Sequence, residues 1–297
     1  MTTQELKEHS NLSTSSLYEY KRQGIFRLIH IVMITLLNVL PKKIAQKLFL
    51  FWSSRGNDPR VVSENMGTWL ALEVMYTLKK RQALGQVGWI DTFWQELLDN
   101  TRSIRNRLLM VKEELTALIL AESLHGTPVH ILSIGSGSAR PVLEAIALLQ
   151  ETPKTRLLLV DTDETALMFS ERLAQELKIN HTQHKTGNFL RVARDCTSFK
   201  PRIVEMVGLL DYLTNRQCIY ILREVRKTLV PGGYLITGNI SPNLEAPFVT
   251  KGINWPMIYR APEELRELLV WAGFGAQHIR IIQEPLEIHT LAIAQIH

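Results

Sequence analysis

One stretch constrains the fold more than any other: residues 129–140, VHILSIGSGSAR. Its aliphatic and β-branched run is typical of a buried parallel strand. Gly135 and Gly137 indicate a tight turn that lets a ligand's polar groups meet the backbone, and Pro141 fits the first turn of a helix. A second apolar strand follows and ends in Asp161. These features predict half of a nucleotide-binding βαβ unit, in which Asp161 accepts hydrogen bonds from ribose hydroxyls.

Strand and helix patterns alternate from residue 129 to the end of the chain, which predicts a doubly wound α/β sheet. The predicted strands are 130–134, 156–160, a short third strand before 187–189, 203–207, 234–238, 276–282 and 288–295. The predicted helices between them are 141–150, 164–177, 215–229 and 262–272. The fold expected is a Rossmann-like seven-stranded sheet.

Residues 1–127 predict a different unit, an N-terminal arm followed by a helical cap. The arm, to about residue 20, is rich in Ser, Thr and Asn and is expected to be mobile. Apolar residues recur with helical spacing at 66–80, 94–99 and 104–121, whereas 53–60 is expected to be a loop. LHGTP, at 124–128, breaks the last helix. We therefore expect the nucleotide-binding domain to span 128–297.

The run from Ile25 to Leu40 is apolar on nearly every face of a helix. Such a helix is either packed inside the cap, the simpler prediction, or in contact with lipid or an apolar ligand. It carries Arg27 and stops at Pro41, so it is too short to span a bilayer. Peripheral membrane contact through this run stays open.

The composition of the chain limits the kinds of partner that are expected. The net charge of +5 suggests nucleic acid as a partner. However, the basic residues are scattered among acids and do not form the stripe that follows a phosphate backbone, so nucleic acid is not expected. Cys196 and Cys218 are too few for a disulfide framework. We expect a reducing, cytoplasmic setting and, because the histidines lack ligand spacing, no bound metal.

The identity of the nucleotide depends on position 140. A dinucleotide fingerprint needs a third glycine there, but the chain has Arg140. The pattern G-x-G-x-A, ending at Ala139, resembles motif I of the class I S-adenosyl-L-methionine (SAM) methyltransferases. VDTDETAL resembles their second motif, with Asp161 as the ribose acid, and KTLVPGGYLITGNI resembles their post-motif. In GNF, Asn188 stands where the family often has an acid, and an amide oxygen can still accept from the adenine amino group.

The resemblance covers about the last 170 residues and implies SAM as cofactor. Ser133 and Ala139 depart from the commonest form of motif I. The residues that it implies at the cofactor are Gly135, Ser136, Gly137, Asp161, Thr162, Asn188, Phe189 and Val207. Of Arg102, Arg105 and Arg107, one could face the cofactor's carboxylate; pairing with carboxylates is the alternative.

A narrower likeness lies in MVGLLDYL, NISPN and WPMIYR. It is similar to bacterial methyltransferases with a GLFDYL-type box, among them the group that makes the methyl ester of a 3-hydroxy fatty acid. Leu210 replaces the family's Phe. The likeness implies a small, largely apolar metabolite, such as a fatty acid or a terpenoid.

The candidate catalytic residues lie after strands four and five. Asp211 and Tyr212 are expected at the carboxyl edge of the sheet, with Tyr212 nearest the substrate; a capping Asp and a buried Tyr are the alternatives. Arg260 could hold an acidic substrate through bidentate hydrogen bonds, with Trp255 and Tyr259 as pocket walls, unless these aromatics only pin the loop. His289 is expected to be a satisfied structural histidine, with a base as the alternative.

The sequence thus predicts a SAM-dependent methyltransferase that acts on a small apolar metabolite. Methyl transfer from a sulfonium is an in-line displacement, in which the enzyme contributes mainly positioning and desolvation. Two alternatives stay open: transfer of an aminopropyl or aminobutyrate group from SAM, and a non-catalytic protein that binds a membrane or a partner through the same fold.

Overall fold

A computed structural model describes residues 17–149, 154–191 and 195–296, and these contain one seven-stranded sheet. The strands are β1 (Val129–Ile134), β2 (Thr155–Asp161), β3 (Thr182–Thr186), β4 (Ile203–Met206), β5 (Tyr234–Ile240), β6 (Ile279–Gln283) and β7 (His289–Gln295). Their order is β3-β2-β1-β4-β5-β7-β6. The first five are parallel, and β7 runs antiparallel to β5 and β6. The predicted Rossmann-like α/β fold is confirmed.

The order of the strands reverses between β1 and β4. Loops that leave the two central strands at this point diverge to opposite sides, so a crevice forms at the carboxyl edge of the sheet. Both strands are buried on both faces, with Ile131, Leu132 and Val204 fully inaccessible. This explains the uninterrupted apolar runs in the sequence, and it makes the strand ends a rigid base for the crevice.

Among the described residues, four helices of eight or more residues flank the sheet, and seven helices precede it. Those that flank it are α8 (Arg140–Ala147), α9 (Glu164–Glu176), α10 (Asn215–Thr228) and α11 (Pro262–Trp271). Those that precede it are α1 (Gly24–Val39), α2 (Lys42–Ser53), α3 (Asn57–Glu64), α4 (Trp69–Tyr76), α5 (Leu78–Ala83), α6 (Trp89–Leu97) and α7 (Asp99–Ser123). A short turn, Ala246–Phe248, continues into a π-helical turn, Val249–Ile253.

Three local predictions need correction. Residues 57–60, expected in a loop, open α3, because proline is tolerated in the first turn of a helix. The single helix predicted over 66–80 is interrupted at Thr77, which separates α4 from α5. The helix predicted over 141–150 runs from Arg140 to Ala147, and Gln150 itself lies outside the described residues.

The N-terminal helices are tied to the sheet by buried polar contacts. Arg140 on α8 forms an ion pair with Glu73 on α4, and Lys112 Nζ on α7 lies 2.6 Å from Glu144 Oε2. Glu245 accepts the backbone N–H groups of Asp99 (2.7 Å) and of the residue after it, and so caps α7. Helices of both units therefore pack as one body, and the predicted division at 127/128 stays a prediction.

The end of the predicted arm is docked rather than mobile. Tyr18 donates its hydroxyl to Glu113 at 2.7 Å, and the carboxylate of Glu19 pairs with Arg102 and Arg105 on α7. The expectation of mobility is therefore wrong for residues 17–20. Residues 1–16 lie outside the described part of the chain.

Helix α1 contradicts the prediction of a packed helix. It buries only His30 and Ile34, and most of its other residues are exposed. Its inner contacts include a hydrogen bond of 3.0 Å between His30 and Glu245. No helix of the described chain combines the length and apolarity needed to cross a bilayer.

Candidate functional site

A cavity of about 360 Å³ opens at the carboxyl edge of the sheet, between the strand ends and helices α3, α4, α6 and α7. The predicted site residues that line it are Gly135, Gly137, Asp161, Thr162, Phe189, Val207, Asp211, Tyr212 and Trp255. Ser136 lines a smaller adjoining pocket of about 50 Å³. The structure thus brings most of the predicted residues together around one space.

The glycine turn is held by Asp161. Gly137 has a φ of +52°, and its N–H donates to Asp161 Oδ2 at 2.7 Å. The other carboxylate oxygen accepts the N–H of Asp163 at 2.9 Å. Since an ionised carboxylate has roughly four acceptor sites, Asp161 can still accept hydroxyls from a ligand. It therefore shapes the turn and lines the cavity at the same time.

Asn188 does not have the predicted position. Its side chain is exposed and does not line the cavity, whereas its neighbours Gly187 and Phe189 do. The amide oxygen accepts the N–H of Leu190 at 2.8 Å, a turn geometry common for Asn. The amide oxygen is therefore used by the Leu190 N–H. The predicted contact between Asn188 and the adenine is not supported by this position.

Trp69, at the start of α4, covers the glycine turn. A Cβ on Gly137 would lie 3.1 Å from Trp69 Cβ. The indole packs against Phe169 with ring centroids 4.8 Å apart, and its Nε1 donates to Thr165 Oγ1 at 3.2 Å. A tryptophan of the cap therefore encloses the side of the cavity next to β2, a role that the sequence alone did not reveal.

Arg107 is the buried cation of the site. Its Nη2 donates to the hydroxyl of Tyr76 at 2.7 Å. Its Nε has no hydrogen-bond partner, and no carboxylate pairs with it among the described residues. Gly208, at φ +89°, lets Nη1 approach, because a Cβ there would lie 3.4 Å away. Burial alone would lower the pKa of Arg107, but Tyr76 and Asp211 outweigh burial and raise it.

The other two arginines considered from the sequence, Arg102 and Arg105, are paired with Glu19. Arg107 lines both the cavity and the adjoining pocket, so it is the arginine available to a bound anion. A buried guanidinium with an unused donor is suited to binding a carboxylate.

Glu205, on β4, is the acid of the adjoining pocket. It faces Ser133 on β1 and accepts that hydroxyl at 2.5 Å and the N–H of Val207 at 3.0 Å. Burial raises the pKa of Glu205 to about 7. A buried acid that ionises near neutral pH and a buried cation therefore line one small pocket beside the glycine turn.

Asp211 and Tyr212 lie on the cavity wall, as the sequence predicts. Asp211 is buried and accepts the N–H of Ile240 at 2.7 Å, and burial raises its pKa. Tyr212 is 42% exposed, and its hydroxyl accepts from Trp255 Nε1 at 2.8 Å. Burial and the neighbouring Asp211 raise the pKa of Tyr212 to about 12, so the hydroxyl keeps its proton at neutral pH.

Arg260 and Tyr259 do not have their predicted roles. Arg260 is 2% exposed and lies outside the cavity lining. Its guanidinium donates to the carbonyl groups of Leu210 and Leu213 and to two asparagine side chains, and these contacts pin the loop after β5. Tyr259 packs beside Ile240 in a satellite cluster. Neither can hold a substrate in this arrangement.

The environment of His289 differs from the one expected from the sequence. His289 opens β7, is 4% exposed and lines the cavity. Its Nε2 has no hydrogen-bond partner among the described residues, so the expectation of a satisfied histidine is wrong. Burial, with Arg107 as a second cause, holds the pKa of His289 well below its usual value. The imidazole is therefore neutral at physiological pH.

A second polar cluster lies outside the cavity. Ligand atoms of His30, Asp99 and Glu245 lie within 4.8 Å of one another. The Glu245 carboxylate already accepts backbone and side-chain N–H groups from Asn100, and Asp99 pairs with Arg22 and Arg102. The cluster is thus explained by capping of α7.

Comparisons with solved structures agree on the fold. A "possible exported protein" from Bordetella parapertussis has the same fold with a TM-score of 0.60 and 15% identity, over 86% of this chain and 97% of its own. Magnesium protoporphyrin IX methyltransferase from Synechocystis PCC 6803, with bound SAH, gives a TM-score of 0.53 and 13% identity over 74% and 93%. The CurJ carbon methyltransferase gives 0.53 and 15% over 86% and 71%.

At these identities the structural neighbours show the fold alone. No curated protein sequence matches this chain significantly. A family model described as "Putative methyltransferase" matches residues 69–296, from the start of α4 to the end of β7. Because the match covers more than half of the chain, the chain belongs to this methyltransferase family.

Proposed function

We propose that the protein transfers the methyl group of SAM to a hydroxyl group of a small, largely apolar metabolite. The single observation that carries the proposal is the cavity, in which the glycine turn, Asp161, Arg107 and His289 face one space. SAM supplies an electrophilic methyl group on a sulfonium. A structural neighbour that contains bound SAH has the same fold, which supports this cofactor.

The chain's own residues fit the parts of SAM. Asp161, at the end of β2, has acceptor sites left for ribose hydroxyls, and Phe189 provides an apolar wall near them. Arg107 and Glu205, of opposite charge in one small pocket, suit the carboxylate and the ammonium group of the methionine part.

The acceptor side of the cavity is apolar. Its walls come from Met75, Trp94 and Leu98 of the cap and from Ile253, Trp255 and Met257 of the loop after β5. A chain or ring of hydrocarbon character buries its surface favourably there. A fatty-acid-like or terpenoid acceptor of the kind implied by the sequence therefore stays the proposal.

His289 takes the proton of the acceptor in this scheme. A hydroxyl must lose a proton when its oxygen is methylated. His289 lines the cavity, its imidazole is neutral, and its Nε2 has no hydrogen-bond partner among the described residues. Tyr212, which keeps its proton, is placed to orient the acceptor by hydrogen bonding. We place the reaction in the cytoplasm, a location that the two free cysteines favour.

The test is incubation of the purified chain with SAM labelled in every carbon of its methionine part, the methyl group included, and a fractionated metabolite extract, followed by mass spectrometry of the labelled product. A gain of one methyl group on an apolar hydroxylated compound supports the proposal. A heavier gain supports the alternative transfer of an aminopropyl or aminobutyrate group. Absence of any labelled product, with SAH binding intact, supports the non-catalytic alternative.

The variant His289→Gln separates the proton acceptor from cofactor binding. We expect at least about a hundredfold lower turnover with unchanged affinity for SAH. Because the pKa of His289 lies well below 6.5, wild-type turnover at saturating SAM, where protonation of Glu205 does not limit cofactor binding, should not decline as the pH falls from 8 to about 6.5. A decline in that interval, or a fully active variant, removes His289 from the scheme.

A further inference from the structure

Helix α1 exposes a continuous aliphatic stripe. Ile25, Leu28, Ile29, Val32, Leu36 and Val39 recur with helical spacing and are 50–72% exposed. On the opposite face, His30 and Ile34 attach the helix to the cap. A stripe of this kind on a soluble chain marks a surface that another apolar body covers.

Helix α2 extends the exposed apolar surface. Ile44 and Phe51 are 51% and 48% exposed, and both lie on the face that also carries Lys47. The Phe51 ring contacts Trp52, and Trp52 contacts Phe93 of α6, with ring centroids 5.7 and 5.3 Å apart. Phe93 is itself 43% exposed. Exposed aromatic rings of this type are typical of residues at the level of lipid headgroups.

The charge of this region has one sign. From Tyr20 to Asn57 the chain has seven Lys or Arg residues and no Asp or Glu. Lys21 and Arg22 are ion-paired with acids from elsewhere. Five exposed cations have no ion pair among the described residues: Arg27, Lys42, Lys43, Lys47 and Arg55. These five cations therefore accompany the apolar surface.

We propose that α1 and α2 dock the protein on an anionic lipid surface, with the stripe of α1 lying in the interface plane. An amphipathic helix with an apolar face and flanking Lys and Arg residues binds in this way, through apolar burial together with attraction to anionic headgroups. Helix α1 does not cross the bilayer. It lies along it, and α2 brings its cations to the headgroups.

A second copy of the chain fits this surface less well. Two copies that bury the same face bring like charges together, because the region has no acid to pair with Arg27 or the lysines of α2. The sequence of residues 1–16 is polar, MTTQELKEHSNLSTSS, and cannot supply an apolar surface of matching size. A lipid surface satisfies both the apolar and the cationic features.

The experiment is co-sedimentation of the full chain with vesicles of phosphatidylcholine alone and of phosphatidylcholine mixed with phosphatidylglycerol, without SAM. The test variant combines Ile29→Gln, Val32→Gln and Leu36→Gln. The matched control combines Leu148→Gln, Met168→Gln and Trp271→Gln, which are equally exposed apolar residues away from α1 and α2. A charge variant combines Lys43→Glu and Lys47→Glu.

We expect the wild type and the control to bind the mixed vesicles, and the test variant to bind at least about tenfold more weakly at an unchanged melting temperature. The charge variant and added salt should weaken binding to the mixed vesicles alone, by about tenfold or more. Equal binding of test variant and control overturns the proposal. So does a wild type that ignores vesicles, or one that forms a dimer abolished by the test variant.

Because the assay contains no cofactor, its failure leaves the proposed methyl transfer standing, and failure of methyl transfer leaves this proposal standing.

Discussion

Arg107 is buried and forms no ion pair within 4.0 Å of a carboxylate among the described residues, and a buried charge without a paired carboxylate is costly unless a ligand compensates it. If it binds the carboxylate of the cofactor, Arg107→Gln weakens binding of SAH by about 2 kcal/mol or more, at least about thirtyfold. Calorimetry with SAH and with adenosine measures this. Adenosine has no carboxylate, so the variant should bind it as the wild type does.

Arg102→Gln is the control for that variant, since Arg102 pairs with Glu19 and Asp99 and does not line the cavity. Its affinity for SAH should stay within about twofold of the wild type. Equal loss of SAH and adenosine binding in Arg107→Gln would show a structural role instead.

Glu205 predicts a pH dependence of stability. Its folded pKa of about 7 lies above the ordinary value of 4.5, so its contribution is fully present below pH 4.5 and is lost as the pH rises through 7. Urea unfolding across this range should show the wild type losing roughly 3 kcal/mol relative to Glu205→Gln. Parallel pH profiles for the two proteins would contradict this.

Individual side chains were the least predictable level. The sequence indicated Arg260 as a residue that could hold the substrate. Its donors are instead used by the backbone carbonyl groups of Leu210 and Leu213, and a sequence pattern does not reveal hydrogen bonds of this kind. Arg107, Glu205 and His289 come from α7, β4 and β7, so only the topology shows that they meet. Asp161 and the glycines were predictable because strand, turn and acid are contiguous or nearly so.

The glycine turn is the element that depends most on backbone geometry. Gly137→Ala places a Cβ in left-handed backbone and 3.1 Å from Trp69 Cβ, and we expect a loss of about 1–3 kcal/mol in unfolding free energy together with weaker SAH binding. Gly126→Ala is the matched control, because its φ is +72° and its Cβ would meet nothing within 4 Å.

For Gly126→Ala we expect the unfolding free energy to fall by about 1 kcal/mol, because of the left-handed backbone alone, and the affinity for SAH to stay unchanged. Thermal unfolding measures the stability of both variants, and calorimetry measures their affinity for SAH. Together they distinguish the backbone strain, which both variants share, from the contact with Trp69, which only Gly137→Ala makes. If the two variants behave alike, Trp69 does not close over the turn.

Elements of the sheet could be predicted well because strands buried on both faces are apolar throughout. Helices α3 to α5 could be predicted less well. Asn57, Asp58 and Pro59 are typical of a turn, yet they open a helix that packs in the cap. Helix α1 has the sequence pattern of a buried helix. Whether such a helix is buried depends on the elements that pack around it, and in this fold other elements pack only against the face with His30 and Ile34.

At the scale of the whole molecule, Glu245 connects the cap to the sheet. It is 2% exposed, caps α7 and accepts from His30 on α1. Glu245→Ala leaves buried donors without a partner, so we expect the unfolding free energy to fall by about 3 kcal/mol or more. Urea unfolding measures this free energy.

Glu287→Ala is the control, because its ion pair with Lys21 is exposed. It should change the unfolding free energy by less than about 1 kcal/mol. A Glu245→Ala protein as stable as this control would show that the cap is held by apolar packing alone.

The proposed function of the molecule depends on binding of SAM in the cavity between the glycine turn and the cap. Calorimetric titration with SAM and with SAH tests this most directly. We predict one binding site per chain for both ligands, and at least about tenfold weaker binding in Asp161→Ala, which loses both the ribose acceptor and the support of the Gly137 turn. Absence of binding heat with either ligand in the wild type would contradict the account.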